Sequence, residues 1–231
     1  MKQQIKRRVP LPITKDTYVI ADLHFGHKNV VEFEPSRLVA TEEGNYENQE
    51  DMLIARWNAI IKPTDHIIIL GDYAFKGIKE YTRRLNGNIE LVAGNHDKRS
   101  SHAYYDAGFS YVYDTITHHD DIGNYWHLDG DDTYLSSAIV ELEGTKIALS
   151  HYALDYYDDY TRQRAIDLSY RIKEITKVAF NKGVTVNIHG HLHSKQAPDT
   201  PQLRYLNVSC ENLDFTPIKL GHLLDASGIT R

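Results

Sequence analysis

The sequence predicts an α/β protein on the basis of three observations. Short apolar runs rich in Val and Ile are typical of strands that are covered on both faces. Segments with apolar residues at helical spacing lie between several of these runs, and this alternation indicates a sheet layered between helices. Clusters of polar residues follow most of the runs, where parallel strands place ligand sites. The chain has 231 residues, and we expect residues 1–231 to form a single domain.

Six strands and three helices are predicted. The strands lie at residues 17–21, 66–70, 89–93, 146–149, 184–188 and 205–208. A helix is expected over residues 48–61, which stop before Pro63, and a shorter one over residues 79–85. The third covers residues 160–181 and ends before Gly183, because glycine often terminates a helix.

Residues 104–132 do not follow this alternation of strands and helices. Aromatic residues from Tyr104 to Trp126 are interleaved there with a run of histidines and aspartates, residues 118–121, and a second acidic run follows at residues 129–132. We expect a cap-like insertion that stands over the site. Its aromatic side chains are suited to stacking on a nucleobase or, with equal weight, to local packing and contacts in a homo-oligomer.

Composition excludes several classes of protein. The net charge of -6 disfavours extended nucleic acid as a partner, and we interpret the basic residues 2–8 as a solvated tail. No apolar run approaches the roughly 20 residues of a membrane span, and the N-terminal residues lack the pattern of a secretory signal. The single cysteine, Cys210, allows no intrachain disulfide, which favours a cytoplasmic location.

Seven of the thirteen histidines lie in five polar clusters at the ends of predicted strands. The clusters are Asp22-Leu23-His24 with Gly26-His27, Gly71-Asp72, Gly94-Asn95-His96-Asp97, Ser150-His151-Tyr152 and His189-Gly190-His191-Leu192-His193. Imidazole, carboxylate and amide oxygen are ligands that suit Mn, Fe, Zn, Ni or Co. This pattern predicts a metal-dependent hydrolase.

The spacing within the clusters indicates how they would act. Residues two apart on a strand point to one face, so Asp22 and His24 could coordinate one cation together. Asp72 could bridge two cations, which hydrolases hold about 3.5–4 Å apart, or it could cap a helix. Ser150-His151 does not predict a serine nucleophile, since adjacent strand residues point to opposite faces and no nucleophile elbow is present.

The five clusters, in this order from Asp22 to His193, resemble the signature blocks of the calcineurin-like metallophosphoesterase superfamily. Residues 25–29 and 204–208 also look like those of its small bacterial and phage members. The resemblance implies a four-layer α/β fold, a central β-sandwich flanked by helices. It also implies two divalent metal ions. The ligands would be Asp22, His24 and His193 for the first ion, Asn95, His151 and His191 for the second, and Asp72 as the bridge.

The resemblance further implies a catalytic role for His96, which would stabilise the phosphoryl oxygens or protonate the leaving group, with Asp97 orienting it. His27 would contact the substrate phosphate or support a ligand histidine. Tyr152 would stack on a base, beside Asn95 and His96 at the substrate. After Gly71-Asp72 the chain departs from many relatives, with Tyr73-Ala74-Phe75-Lys76 in place of an acidic or polar residue.

The expected activity is hydrolysis of a phosphodiester by a metal-bridging hydroxide. The substrate would be a small phosphoester, and the aromatic residues favour a nucleotide or cyclic nucleotide. A phosphomonoesterase is the alternative within the enzyme class. A non-catalytic scaffold of the same fold is a third, and the presence of His96 and the full ligand set argues against it.

Overall fold

The computed structural model describes residues 8–120, 124–127, 136–157 and 166–229, and they contain two β-sheets. The strands of the first sheet are β1 (Tyr18–Ile20), β2 (His66–Leu70), β3 (Asn88–Val92), β4 (Tyr111–Tyr113) and β11 (Ile218–Lys219). Those of the second are β5 (Ile116–His119), β6 (Tyr125–His127), β7 (Ser137–Leu142), β8 (Thr145–Ser150), β9 (Val186–His189) and β10 (Arg204–Asn207). The strand orders are β11-β1-β2-β3-β4 and β10-β9-β8-β7-β5-β6.

The helices of the described residues flank these sheets. They are α1 (Val30–Phe33), α2 (Ser36–Glu43), α3 (Gln49–Ile60), α4 (Ile78–Thr82), α5 (Ser101–Ala107), α6 (Ile166–Asn181) and α7 (Leu220–Ala226), with a 3₁₀ turn at Cys210–Leu213. Helix α3 begins where the Asn48 side chain accepts a hydrogen bond from the Asp51 backbone N–H, and Ile61 ends it before Pro63. None of these helices is long and apolar enough to cross a membrane.

Strand β2 illustrates how the layers form. Ile67 and Ile69 face α3, where they join a core that contains Trp57, whereas Ile68 faces the second sheet and packs with Val140. This alternation follows from the period of two along a strand. On the far face of the second sheet, apolar side chains pack against α6 through a third core. The predicted four-layer α/β fold, a β-sandwich flanked by helices, is confirmed.

Parallel pairing brings the loops of interest to one edge. In the first sheet β1 and β3 both pair with β2 in parallel, and in the second sheet β9 pairs in parallel with β8 and β10. The carboxyl ends of these strands therefore lie side by side, and an isolated bridge joins Ala21 to Ser209 across the two sheets. The loops that follow the strands meet there.

All six predicted strands are present, each with bounds shifted by no more than two residues. The predicted helices are also present, although residues 160–165 of the third lie outside the described residues. The segment 104–132 differs from its prediction in its described part, which forms α5, β4, β5 and β6 within the two sheets and their flanking layer. For residues 121–123 and 128–132, which the structure does not describe, the cap remains a prediction.

Candidate metal centre

The seven predicted metal ligands converge at the shared edge of the two sheets. Asp22 and His24 follow β1, Asp72 follows β2, and Asn95 follows β3. The remaining ligands come from the second sheet, His151 after β8 and His191 and His193 after β9. The structure thus brings together side chains that are up to 171 residues apart in the chain, from 22 to 193.

The backbone at the ligands differs from the prediction. Asp22, His24, Asp72, His191 and His193 all have positive φ, between 50° and 68°, and they make up five of the ten non-glycine residues with positive φ in the described part. Asp22 and His24 therefore converge through left-handed turns beyond the end of β1, and strand alternation is not the cause. Such conformations are uncommon for non-glycine residues and cluster at functional sites.

The first group of candidate ligands is Asp22, His24 and His193, whose donor atoms lie within 4.8 Å of one another. Asp22 Oδ2 accepts hydrogen bonds from Ser209 Oγ (2.7 Å) and the His191 backbone N–H (2.8 Å). Asp22 Oδ1 and both ring nitrogens of His24 are buried and have no hydrogen-bond partner. Buried polar atoms are rarely left unpaired, so Asp22 Oδ1 and His24 Nε2, which lie 3.9 Å apart, fit a cation that they would bind together.

The second group surrounds His151. Its Nδ1–H donates to the Leu70 carbonyl oxygen (2.9 Å), which leaves the lone pair of Nε2 directed at the site. That nitrogen lies 2.9 Å from Asn95 Oδ1, 3.5 Å from Asp72 Oδ1 and 3.2 Å from His191 Nδ1. With its proton on Nδ1, His151 turns the Nε2 lone pair toward the acceptor oxygens of Asn95 and Asp72. Acceptors that face one another repel unless a cation lies between them, so this group also fits a divalent metal.

Asp72 lies between the two groups. Its Oδ2 is 3.6 Å from His24 Nε2, while its Oδ1 is 3.5 Å from His151 Nε2, so each oxygen faces a different group. Burial raises the pKa of Asp72, and the charges of Asp22 and Asp97 raise it further. A carboxylate in this position favours a positive partner, which is the requirement for a shared metal ligand.

Two glycines permit the close approach of these loops. A Cβ atom on Gly94 would lie 2.3 Å from Asp72 Oδ1, and one on Gly190 would lie 2.5 Å from Asp22 Oδ2. Both distances are shorter than any van der Waals contact. The glycines that precede Asn95 and His191 are therefore part of the site, because they leave room for carboxylates from other loops.

His96 stands beside the metal ligands, at the cleft. Its Nε2 is 3.9 Å from Asp72 Oδ2, and its side chain is 33% exposed. Burial, with the nearby charge of His151, lowers the pKa of His96 to about 4. The ring is therefore neutral at neutral pH and presents one N–H and one lone pair to a substrate.

Asp97 does not orient the His96 ring, contrary to the prediction. Its carboxylate accepts hydrogen bonds from the backbone N–H groups of Asp72 (2.7 Å), Tyr73 (3.1 Å) and Gly94 (2.9 Å), and from the Tyr104 hydroxyl (3.0 Å). Among the described residues none of its partners is His96. Asp97 points back into the loops and fixes the turn that follows β2 against the turn that follows β3.

A model of the calcineurin-like phosphoesterase superfamily domain matches residues 17–210 of the chain. The chain belongs to this superfamily. The match begins just before β1 and ends just after β10, so it includes all seven predicted metal ligands.

Three relatives illustrate the range of similarity. The chain is 33% identical to an uncharacterized protein of Methanocaldococcus jannaschii over 86 residues, which make up 35% of this chain and 46% of the relative. It is 26% identical to the gene 66 protein of Mycobacterium phage L5 over 195 residues, 78% of each chain. A solved protein of unknown function from Aquifex aeolicus has a TM-score of 0.61 at 23% identity, covering 87% of this chain and 94% of that one, and so shares the fold.

Two clefts share Asn95 in their linings. The larger, which we call the wide cleft, has a volume of about 710 Å³. It is lined by five of the seven predicted ligands, His24, Asp72, Asn95, His191 and His193, and by residues that include His27, Phe33 and Lys195. The smaller, which we call the basic cleft, has a volume of about 460 Å³, and its lining includes Lys98, Arg99 and Arg171.

His27 lies at the wall of the wide cleft. Its ring packs edge-on against Phe75, with the ring centroids 4.2 Å apart, and its Nδ1 is buried without a hydrogen-bond partner. The ring of His24 is 5.8 Å away. This position is consistent with either predicted role of His27, contact with the substrate or support of a ligand histidine.

Tyr152 and three tyrosines of segment 104–132, namely Tyr104, Tyr111 and Tyr113, do not have the exposure that base stacking requires. Tyr105 is partly buried and packs against the core that contains Trp57. Tyr152 is 3% exposed and packs on Ile172, with its ring 4.8 Å from that of His151. Tyr104 and Tyr113 lie within the cores. The described tyrosines therefore take the second of the two predicted roles, which is local packing. The ring of Tyr152 also packs edge-on against the rings of His151 and His191.

Three residues that contact the ligands were not predicted: Ser209, Glu211 and Arg37. Residues 209–211 follow β10 as the polar clusters follow other strands, and this position is the signal that could have identified them. Glu211 accepts a hydrogen bond from His193 Nδ1 (3.2 Å). Although burial opposes both shifts, this bond lowers the pKa of Glu211 to about 2 and raises that of His193 to about 9. Arg37, in α2, belongs to no motif.

Proposed function

We propose that the chain is a phosphodiesterase that uses two divalent metal ions, drawn from Mn, Fe, Zn, Ni and Co. The observation that carries this proposal is the position of Asp72, with one oxygen 3.6 Å from His24 Nε2 and the other 3.5 Å from His151 Nε2. Asp22 Oδ1 and His24 Nε2, which lie beside it, are buried and unpaired. Asp22, His24 and His193 would hold one ion. Asn95, His151 and His191 would hold the other, and Asp72 would contribute one oxygen to each.

Divalent cations bound in such a pair acidify water and neutralise charge on phosphoryl oxygens. The side chains around them act on the rest of the substrate. His96, half buried at the cleft, is placed to donate a hydrogen bond to a phosphoryl oxygen or to the leaving group. Because burial lowers the pKa of His96 to about 4, its ring is a neutral imidazole before substrate binds. A neutral ring can still donate one hydrogen bond to developing charge.

The two clefts favour a diester over a monoester. A diester has an organic group on each side of the phosphorus, and two separate clefts, the wide and the basic, share Asn95 in their linings. A monoester is a dianion with one organic group, and it would leave one cleft unused. The described lining of the wide cleft also has two acidic residues, Glu32 and Glu34, and one cation, Lys195. This net negative charge favours a diester, which carries one negative charge, over a monoester, which carries two.

A nucleotide fits the surroundings of these clefts. Phe75 is 38% exposed, and its ring centroid is 4.7 Å from that of His96, while Phe33 in the wide cleft is 70% exposed. Exposed aromatic rings are suited to stacking on a nucleobase. Lys98, Arg99 and Arg171 give the basic cleft the charge to bind a further phosphate on the other arm.

The decisive assay compares an aryl phosphodiester with the matching aryl phosphomonoester, each with Mn²⁺ and with Ni²⁺. We expect metal-dependent hydrolysis with a higher kcat/KM for the diester, and metal analysis close to two ions per chain. His96→Ala gives the background rate of the same preparation. Faster hydrolysis of the monoester would make the protein a phosphomonoesterase, and no hydrolysis of either ester with both ions bound would favour a scaffold.

A further inference from the structure

Behind His193, on the side away from the wide cleft, lies the buried carboxylate of Glu211. Its side chain is 1% exposed, and Glu211 Oε1 is 3.2 Å from His193 Nδ1. Since a carboxylate accepts, the nitrogen donates, and the proton of His193 is thereby held on Nδ1. The other ring nitrogen, Nε2, is then the atom left to serve as a ligand in the group formed with Asp22 and His24.

Glu211 is itself held by Arg37, a guanidinium with no exposed surface. Arg37 Nε donates to Glu211 Oε1 (2.8 Å), and Nη2 donates to the same oxygen. Arg37 also donates to the backbone carbonyl oxygens of Asp22 and Leu23, the latter at 3.0 Å. One side chain therefore fixes both the carboxylate behind His193 and the loop that carries two other ligands.

Stability alone does not account for this arrangement. A buried ion pair costs desolvation energy that its attraction seldom exceeds, and apolar side chains of similar volume stabilise a fold at least as well. In addition, Glu211 Oε2 is buried and has no hydrogen-bond partner, a further cost. A function at the ligand that Glu211 contacts explains why a charge is kept here.

We propose that Glu211 is a positioning residue for the metal site that contains His193, and that Arg37 holds Glu211 in place. The carboxylate fixes the tautomer and the plane of the His193 ring and increases its basicity as a ligand. This inference rests on the metal centre of the proposed function and goes beyond it. It assigns a role to a residue outside the stretch 17–210 that the superfamily model matches.

The test is Co²⁺ binding to the metal-free full chain, followed by the visible absorption spectrum of the bound ion. Glu211→Gln keeps the size of the side chain and removes its charge. We expect one of the two classes of Co²⁺ site to weaken about 10- to 100-fold, the loss typical when a carboxylate behind a ligand histidine is removed. The spectrum of the weakened site should change as well, because the His193 ring is no longer held.

The chain offers a matched control in Glu90. This carboxylate is also buried, and Glu90 Oε2 lies 3.2 Å from His66 Nε2. His66 begins β2, whereas Asp72 follows the end of that strand, so the pair lies far from the candidate metal centre. Glu90→Gln should leave both classes of Co²⁺ site unchanged. If Glu211→Gln does not fold, Glu211→Asp replaces it, because it keeps a charge beside Arg37 but draws the carboxylate back from His193.

Unchanged Co²⁺ affinity and spectrum in the folded Glu211 variant would overturn the proposal. So would equal losses in the Glu211 and Glu90 variants, since those would arise from a general loosening of the fold. Both results are independent of hydrolysis. A parent chain that binds two Co²⁺ ions but cleaves no diester would refute the proposed function and leave the role of Glu211 intact, whereas a parent that binds no Co²⁺ would refute both.

Discussion

Asp97 Oδ2 accepts a hydrogen bond from the backbone N–H of Asp72, 2.7 Å away, and this contact joins two loops of the metal centre. The two residues are 25 positions apart and follow different strands. The Asp97 carboxylate also accepts hydrogen bonds from Tyr73, Gly94 and Tyr104. These contacts hold the turn that carries Asp72 in place.

Asp97→Asn should therefore act on stability. One end of the new amide is an NH₂ group, which would face two N–H or O–H donors in place of an accepting oxygen. We expect the free energy of unfolding to fall by about 2–4 kcal/mol. Tyr104→Phe removes a single hydrogen bond to the same carboxylate and should cost about 1 kcal/mol. Denaturant unfolding measures both, and an unchanged midpoint for Asp97→Asn with lost turnover would restore the catalytic role.

His96→Ala should abolish most of the activity and leave the metals in place. The side chain belongs to neither ligand group, yet it lines the wide cleft. Turnover of an aryl diester should fall about 10²- to 10⁴-fold, the loss expected for a positioned acid or charge stabiliser. Asp72→Asn is the contrasting variant and should lower the metal content, measured by elemental analysis. Parallel loss of metal and activity in His96→Ala would show that His96 is a ligand.

Gly190→Ala should displace Asp22. The added Cβ would lie 2.5 Å from Asp22 Oδ2, so the carboxylate must move, and a displacement of about 1 Å can reduce turnover about 10²-fold. Metal content should fall with it. Gly144→Ala is the control, because its Cβ would have no atom within 4 Å, although its positive φ adds strain. If Gly190→Ala retained full metal content and turnover, the close packing of these loops would not matter to the site.

Removal of the metals should destabilise the fold. Without cations, the buried carboxylates of Asp22 and Asp72 face unpaired ring nitrogens and each other's charge. At a metal concentration 100 times Kd, binding adds about 2.7 kcal/mol, so chelation should lower Tm by about 5–10 °C for a domain of this size. Calorimetry with and without a chelator measures the shift, and a Tm that is the same in both would argue against a metal centre.

Arg99→Ala should weaken binding of substrates with a second phosphate. An aryl diester of a nucleoside 3′,5′-bisphosphate should show a KM about two- to fivefold higher, the effect of one exposed charge. The same diester without the second phosphate should be unaffected. Lys62→Ala, an exposed cation in the turn before β2, is the control. Equal effects on the two substrates would mean that the basic cleft does not bind phosphate.

The apolar runs of the sequence were enough to predict which polar residues would meet at one edge, because each candidate ligand lies within four residues of the end of a recognisable strand. Those strands are buried on both faces, so Val and Ile fill them and polar residues mark their ends. The same runs fixed the order of the main strands and helices. The edge and outer elements, such as α5 and β4, were missed because their tyrosines pack in the core and do not have the aliphatic pattern of a central strand.

The contacts that each side chain makes became apparent only in the folded chain. The left-handed turns at Asp22 and His24 depend on contacts with other loops, and no local pattern predicts them. The sequence analysis assigned Asp97 to the adjacent His96, whereas the fold places its carboxylate on the backbone of a distant turn. Arg37 contacts Glu211 across 174 residues, and Glu211 contacts His193 across 18, because different elements carry the three side chains. Contacts of this kind arise from the packing of layers, which a linear sequence does not display.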